Sequence, residues 1–381
     1  MGLPLALAFA STGLEVAIFD VDADAVAAVQ AGRMPFREEG ADEVLAKVGG
    51  RNLSASTDPR TVASAENVVF VVGTPVDEHL NPDPAAVPDA VAALAPHLRD
   101  GQLVVLRSTL FPGVTAMVER QLAASGLDVD VAFCPERIAE GRAMTELFEL
   151  PQIVGGRSRR AVDRAAKLFS ALVAETVTLL PEEAELAKLF TNSWRYLKFA
   201  AANQLYRIAN DYGLDYERIR SALAYNYPRA ADLPGAGFTA GPCLLKDTMQ
   251  LAAFNNNDFL LGHASMTINE GLPLYVADRM SKRWDLASMT VGIAGMSFKA
   301  DSDDVRSSLS YKLRRILRFR AARVVCSDHH RPDDPELVPL PTLLAESDVV
   351  VIGAPHDAYR HLRTDKPVVD IWGLTGNGVM V

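Results

Sequence analysis

The sequence predicts an α/β protein in which two Rossmann-like, doubly wound parallel-sheet domains are joined by a central helical domain with one long helix. Three observations predict it. Near-continuous apolar runs, such as Val68-Val-Phe-Val-Val and Leu103-Val-Val-Leu, read as strands buried on both faces, and helical patterns separate them. Between about residues 182 and 213 the apolar positions change to intervals of three and four. From Met289 the alternation of strand and helix begins again. The domains are expected at 1–178, 179–285 and 286–381.

Composition bounds the partners. The 381 residues are 49% hydrophobic and 23% charged, as in a globular protein with ordinary cores. A net charge of -10 argues against nucleic acid, whose phosphates need a basic surface. No run reaches the ~18 apolar residues of a membrane span, and no basic segment opens a leader, so the chain is expected in the cytoplasm. Cys134, Cys243 and Cys326 have no metal-ligand spacing, and the seven histidines form no H-x-x-H pattern, so no metal site is expected. His329-His330 is expected in a solvated loop, and Cys134 and Cys326, each after an apolar run, in the core.

In chain order, Gly2-Leu-Pro-Leu-Ala-Leu-Ala-Phe-Ala opens a helix, Gly13 ends it, and Glu15-Val-Ala-Ile-Phe-Asp20 is the next strand. Gly2 corresponds to the third glycine of a dinucleotide-binding fingerprint, and Asp20, 18 residues on, to the acid that takes a ribose 2′-hydroxyl. An acid there favours NAD, because it repels a 2′-phosphate. The strand and Gly-x-Gly that should precede Gly2 are absent from the sequence, so the natural protein is expected to start upstream and the 381-residue chain to hold NAD poorly. Strands are expected at 67–75, 102–109, 129–134 and 152–156, and a helix at 84–99. Ligands of such sheets bind beyond the carboxyl ends of the strands. The candidates there are Thr74, Pro75, Ser108 and Thr109 for the cofactor, with Glu136 and Glu140.

The apolar residues of 182–213, among them Leu189, Phe190, Trp194, Leu205 and Ile208, predict a spine with surface enough to pair with a second copy. Helices are expected at 214–224 and 246–281, flanking Ala236-Gly-Phe-Thr-Ala-Gly-Pro-Cys243-Leu-Leu-Lys246-Asp247. Glycines let backbone approach a ligand, Lys246 could favour the Cys243 thiolate, and Asp247 could position or deprotonate a water. The second αβ half is expected to place strands at 290–295, 323–327, 348–353 and 366–371, with a helix at 307–319.

The Gly-Pro-Cys243-x-x-Lys-Asp247 segment resembles the active-site loop of the UDP-glucose/GDP-mannose dehydrogenase family, and the likeness runs through the whole chain. Leu103-Val-Val-Leu-Arg-Ser-Thr109 is similar to its threonine strand, Cys134-Pro-Glu136-Arg-Ile-Ala-Glu140-Gly to its acid segment, and Glu185-Leu-Ala-Lys188-Leu-Phe-Thr-Asn192 to its helix motif. Arg229 matches an arginine that reaches substrate, often in a neighbouring subunit, and Gly295-Met-Ser-Phe-Lys299…Asp304-Val-Arg306 matches a nucleotide-diphosphate contact. The resemblance implies oxidation of the C6 alcohol of a UDP-sugar to a carboxylate by two NAD, in a homodimer or larger assembly. It implies catalytic roles for Cys243, Lys188, Asn192, Asp247, Thr109 and Glu136. Glu140, Arg229, Lys246, Lys299 and Arg306 are then implied to bind substrate.

Proline before Cys243 and leucine before Lys246 depart from the family's usual residues and leave the sugar open; the Tyr227-Pro-Arg229 turn and the Gly-Pro-Cys loop lean toward an N-acetylhexosamine such as UDP-N-acetylmannosamine, with UDP-glucose equally open. Two alternatives have different consequences. A two-electron β-hydroxyacid dehydrogenase has no task for Cys243, and a non-catalytic nucleotide-sugar-binding relative shows no turnover.

Overall fold

The computed structural model describes residues 2–74, 76–77, 81–139, 141–332 and 334–376. The chain divides into two compact units, Met1–Thr191 and Asn192–Val381. The first begins with α1 (Gly2–Ser11), β1 (Val16–Phe19), α2 (Ala23–Gln30), α3 (Ala41–Val48) and β2 (Leu53–Ser56). It continues through β3 (Asn67–Phe70), α4 (Ala86–Leu94), β4 (Leu103–Leu106), α5 (Val114–Ala124) and β5 (Asp130–Phe133). Then come α6 (Ala143–Glu149), β6 (Gln152–Gly156), α7 (Arg159–Phe169), β7 (Thr176–Leu179) and the start of α8 (Pro181–Asp211).

The apolar runs behave as expected: every residue of β4 and of β5 is buried, with helices against both faces. The sheet is interrupted, and one of its strands departs from the expected parallel order. It is in two pieces, β1-β2 and β3-β4-β5-β6-β7, and among the described residues no strand pairs with the second edge of β1 or of β3. In addition, β6 runs antiparallel to β5, pairing Ala132 with Gly156 and Phe133 with Gly155. Gly155 and Gly156 are packed too closely for a side chain: a Cβ on Gly155 would lie 2.9 Å from Ala184 Cβ, so α8 starts directly on the sheet.

In the second unit α8 is followed by α9 (Tyr216–Ala224), α10 (Leu244–Phe254) and α11 (Leu260–Arg283). The parallel sheet is ordered β11-β10-β8-β9, built from β8 (Thr290–Ala294), β9 (Arg323–Ser327), β10 (Val349–Ile352) and β11 (Val368–Val369). Two further helices, α12 (Leu309–Leu317) and α13 (Leu340–Glu346), belong to the same half. The sheet and the helices share one core, in which Leu272 and Val276 of α11 join Val291, Ile293, Leu313 and Val349.

Two helices are shorter than expected. The 84–99 helix ends at Leu94, and Ala95–His97 turns as a 3-10 segment around Pro96, which has no N–H to donate. The 246–281 helix is two, because Asn256 and Asn257 take positive φ of 52° and 60° and break it. Among the described residues no helix is long and apolar enough to cross a membrane.

Candidate active site

The cysteine loop is held from both ends within the second unit. The Gly237 N–H donates to Asn203 Oδ1 of α8 at 2.9 Å, Asn203 Nδ2 donates to Asn269 Oδ1 of α11 at 2.9 Å, and Asn269 Nδ2 reaches the Tyr196 carbonyl at 3.2 Å. Asn203 and Asn269 are buried, so each of these bonds is protected from water. A Cβ on Gly237 would lie 2.1 Å from the Trp372 ring, so only glycine admits that ring. Gly241, at φ +102°, faces Phe298 so closely that a Cβ would lie 2.6 Å from its Cδ2. This loop delivers Cys243 to the N-cap of α10, where it is exposed. The other cysteines differ: burial pushes the Cys134 thiol up to about 12 and the Cys326 thiol up to about 11. They are poor nucleophiles.

One turn into α10 stands Asp247, whose N–H closes the turn on the Cys243 carbonyl at 2.9 Å. Its carboxylate is fully buried and held by two side chains. Asn192 Nδ2 donates to Oδ2 at 2.5 Å, and Lys246 Nζ lies 2.7 Å from Oδ1. Lys246, expected beside the thiol, is therefore engaged with Asp247. Lys188 lies one turn before Asn192 on α8, partly buried.

In the first unit Asp20 is exposed just past β1, and its Oδ1 accepts the Asp22 N–H at 3.0 Å. Gly2 begins α1. Ser108 latches the ends of β3 and β4 together, its hydroxyl accepting the Val72 N–H at 2.6 Å and donating to the Val72 carbonyl at 2.7 Å. Thr74 and Thr109 are partly buried on the loops that follow these strands. Pro75 and Glu140 lie outside the described residues. Glu136 pairs with the buried Arg107 at 2.5 Å through Oε2, while its Oε1 accepts the Arg137 and Ile138 N–H groups at 2.7 and 3.0 Å. Those partners fix the loop after β5.

Glu185 is a positioning residue that the sequence named only as part of a motif. Wholly buried on α8, it accepts the Gly113 N–H at 2.6 Å, the Thr115 N–H at 2.8 Å and the Thr115 hydroxyl at 2.6 Å. These bonds cap the start of α5 and so anchor the loop that carries Thr109. Burial raises its carboxyl above the ordinary range, and the three hydrogen bonds offset this only in part.

Among the residues expected to meet the nucleotide, Lys299 lies 5.5 Å over the Phe298 ring, and Arg306 pairs with Asp304 at 2.6 Å. Arg229 is exposed, 5.8 Å over the Tyr227 ring. The sequence reading passed over Asp328, beyond β9. It accepts from the Met296 N–H at 2.7 Å, the Ser297 N–H and hydroxyl at 2.9 Å, and the His330 N–H at 2.9 Å. Burial alone would raise this carboxyl, but the His356 contact and the backbone donors prevail and hold it well below the usual carboxylate range.

A wound sheet with an exposed acid just past β1, a second parallel sheet, and an exposed cysteine one turn from a buried carboxylate fit a nicotinamide-dependent dehydrogenase. The particular family is fixed by comparison. The NAD binding domain of the UDP-glucose/GDP-mannose dehydrogenase family matches residues 1–173, its central domain 182–270 and its UDP binding domain 292–377. A UDP-N-acetyl-D-mannosamine dehydrogenase of Yersinia pestis is 31% identical over 412 residues, covering 100% of this chain and 96% of the relative. An NDP-N-acetyl-D-galactosaminuronic acid dehydrogenase of Ralstonia nicotianae is 29% identical over 98% of this chain and 94% of the relative. The structure of a UDP-glucose dehydrogenase from Pyrobaculum islandicum superposes with a TM-score of 0.90 at 30% identity, over 97% of this chain and 91% of that one. The chain belongs to the UDP-glucose/GDP-mannose dehydrogenase family and is an NAD-dependent dehydrogenase.

Proposed function

We propose that the chain oxidises the C6 alcohol of a UDP-N-acetylhexosamine, of the N-acetylmannosamine type, to the carboxylate in two steps through Cys243. The observation that carries this reading is the exposed Cys243 at the start of α10, one turn from a buried Asp247 held by Asn192 and Lys246. The relatives named for N-acetylhexosamine derivatives support the substrate class. UDP-glucose is the second reading, supported by the Pyrobaculum structure.

Two of the groups an NAD site needs are present: the Asp20 carboxylate at the end of β1 is exposed and suits a ribose diol, and Gly2 stands at the start of a helix, where a diphosphate is favoured. When bound, NAD accepts a hydride in each oxidation. In the first, Asp247 takes the hydroxyl proton through a water held by Thr109, with Lys188 as the alternative base. Cys243 then attacks the aldehyde carbon, and Lys188 and Asn192 donate to the oxyanion of the thiohemiacetal. A helix N-terminus favours the thiolate that this attack requires. Loss of the second hydride leaves a thioester on Cys243. Water positioned by Asp247 or Glu136 hydrolyses it, releasing the carboxylate and restoring the thiol.

Lys299, Arg306, Lys246 and Glu140 are assigned to the nucleotide sugar, and Thr74, Pro75 and Ser108 to the cofactor. The three family matches support a division into an NAD-binding domain to about residue 178, a helical domain to about 285 and a UDP-binding domain beyond. The exposed Trp194, Leu205 and Ile208 of α8, with Tyr212 just past its end, support a homodimer built on that helix, in which Arg229 crosses to the neighbour's substrate. The enzyme would work in the cytoplasm. NADH formation across UDP-N-acetylmannosamine, UDP-N-acetylglucosamine, UDP-glucose and GDP-mannose tests the substrate. The highest kcat/KM is expected with UDP-N-acetylmannosamine, and activity confined to UDP-glucose or GDP-mannose overturns the assignment.

A further inference from the structure

We propose that Asp301, His330 and His356 form a binding site for one divalent first-row transition ion, zinc above all, at the carboxyl ends of β8, β9 and β10. Asp301 Oδ1, His330 Nε2 and a ring nitrogen of His356 all lie within 4.8 Å of one another. His330 Nε2 is 3.5 Å from Asp301 Oδ1, and His356 Nδ1 is 3.8 Å from the same oxygen. Two ligands roughly 2.0–2.1 Å from a tetrahedral ion stand about 3.3 Å apart, so these two pairs are within about half an ångström of a coordinating arrangement.

The surroundings of His356 point the same way. The residue is buried, and its Nε2 meets Asp328 Oδ2 at 3.1 Å. A carboxylate on one ring nitrogen fixes the tautomer that leaves the other nitrogen with a lone pair, the arrangement that supports a metal-bound imidazole. Nδ1 uses that lone pair to accept the Asp301 N–H at 2.8 Å. Coordination exchanges this one neutral hydrogen bond for a metal–nitrogen bond and turns the Asp301 amide away. Asp301 itself is exposed, at φ +51°, and its Oδ1 also accepts the Asp357 N–H at 3.2 Å.

Two imidazoles and one carboxylate suit zinc, cobalt or nickel, and not magnesium or calcium, which take oxygen ligands. A fourth position is left for water. The ion would tie together three loops that sequence spacing keeps far apart, which is why no ligand motif announces them. One of these loops, running from 295 to 308, also carries Lys299 and Arg306.

Titration of the full chain with cobalt(II) tests the proposal, with zinc displacement to confirm the site. One equivalent should give visible d–d bands without thiolate-to-cobalt charge transfer, unchanged in Cys243→Ser and accompanied by a rise in Tm. Asp301→Asn, at an exposed position, and His330→Gln should each weaken binding by about tenfold or more. Circular dichroism checks that both variants are folded. Absence of saturable bands overturns the site, as do bands that disappear with Cys243 or survive both ligand substitutions.

Discussion

Asn192→Ala tests the geometry on which the catalytic reading stands. The substitution removes the 2.5 Å bond from Nδ2 to Asp247 Oδ2 and leaves that oxygen in a pocket where Asp247 is 0% and Asn192 5% exposed. A hydrogen bond to a charged group contributes ~1.5–3 kcal/mol, and water has poor access to replace it. A loss of about 2 kcal/mol is therefore expected. In a unit the size of Asn192–Val381 this lowers the melting transition by about 4–8 °C. The two units can melt separately, so calorimetry is the assay that assigns the shift. A double-mutant cycle with Asp247→Ala isolates the pair, since loss of the Lys246 contact is common to the single and double variants and cancels. The two losses should fall short of additivity by more than about 0.5 kcal/mol. Additivity within that margin would show that the bond contributes nothing. Asn192 has a second amide N–H, and losing it from an oxyanion should also lower kcat by about 10²–10³-fold.

Glu185 makes stability depend on pH: its folded carboxyl is raised by burial, so the folded state binds its proton more tightly than the unfolded chain does. Stability of the first unit should therefore fall as pH rises from the ordinary glutamate range through the raised value, and Glu185→Gln should flatten that slope in denaturant midpoints measured across pH. Gly241→Ala puts a methyl 2.6 Å from Phe298 Cδ2 at φ +102°, and should cost about 1–3 kcal/mol and reduce kcat, whereas Gly271→Ala, with nothing within 4 Å, should do neither. If α8 forms the dimer, Trp194→Asp with Ile208→Asp should give a monomer by sedimentation, and an unchanged dimer rejects that surface.

The sequence made the apolar strands legible because burial on both faces leaves continuous runs, as in β4, β5 and β10. It hid β2 and β7, whose Leu-Ser-Ala-Ser and Thr-Val-Thr-Leu carry little hydrophobic signal and, in β7, are mostly exposed. The antiparallel turn of β6 leaves no mark in composition, since pairing direction is set by the connection. Asn255-Asn-Asn257 could have signalled the break between α10 and α11, because asparagine tolerates the left-handed region. Within the site, Cys243, Asp247 and Asn192 were named from motifs. That Asn192 and Asp247, 55 residues apart, meet directly is a tertiary fact with no local signature. The same holds for the cap that Glu185 places on α5 and for the meeting of Asp301, His330 and His356.

Four-electron oxidation on Cys243 fixes the number of NADH formed per nucleotide sugar consumed, and that count is the decisive measurement. Two NADH per sugar, with a covalent thioester trapped on Cys243 by acid quench and no net acid from Cys243→Ser, is the predicted result. One NADH per sugar, or undiminished carboxylate formation by Cys243→Ser, contradicts it.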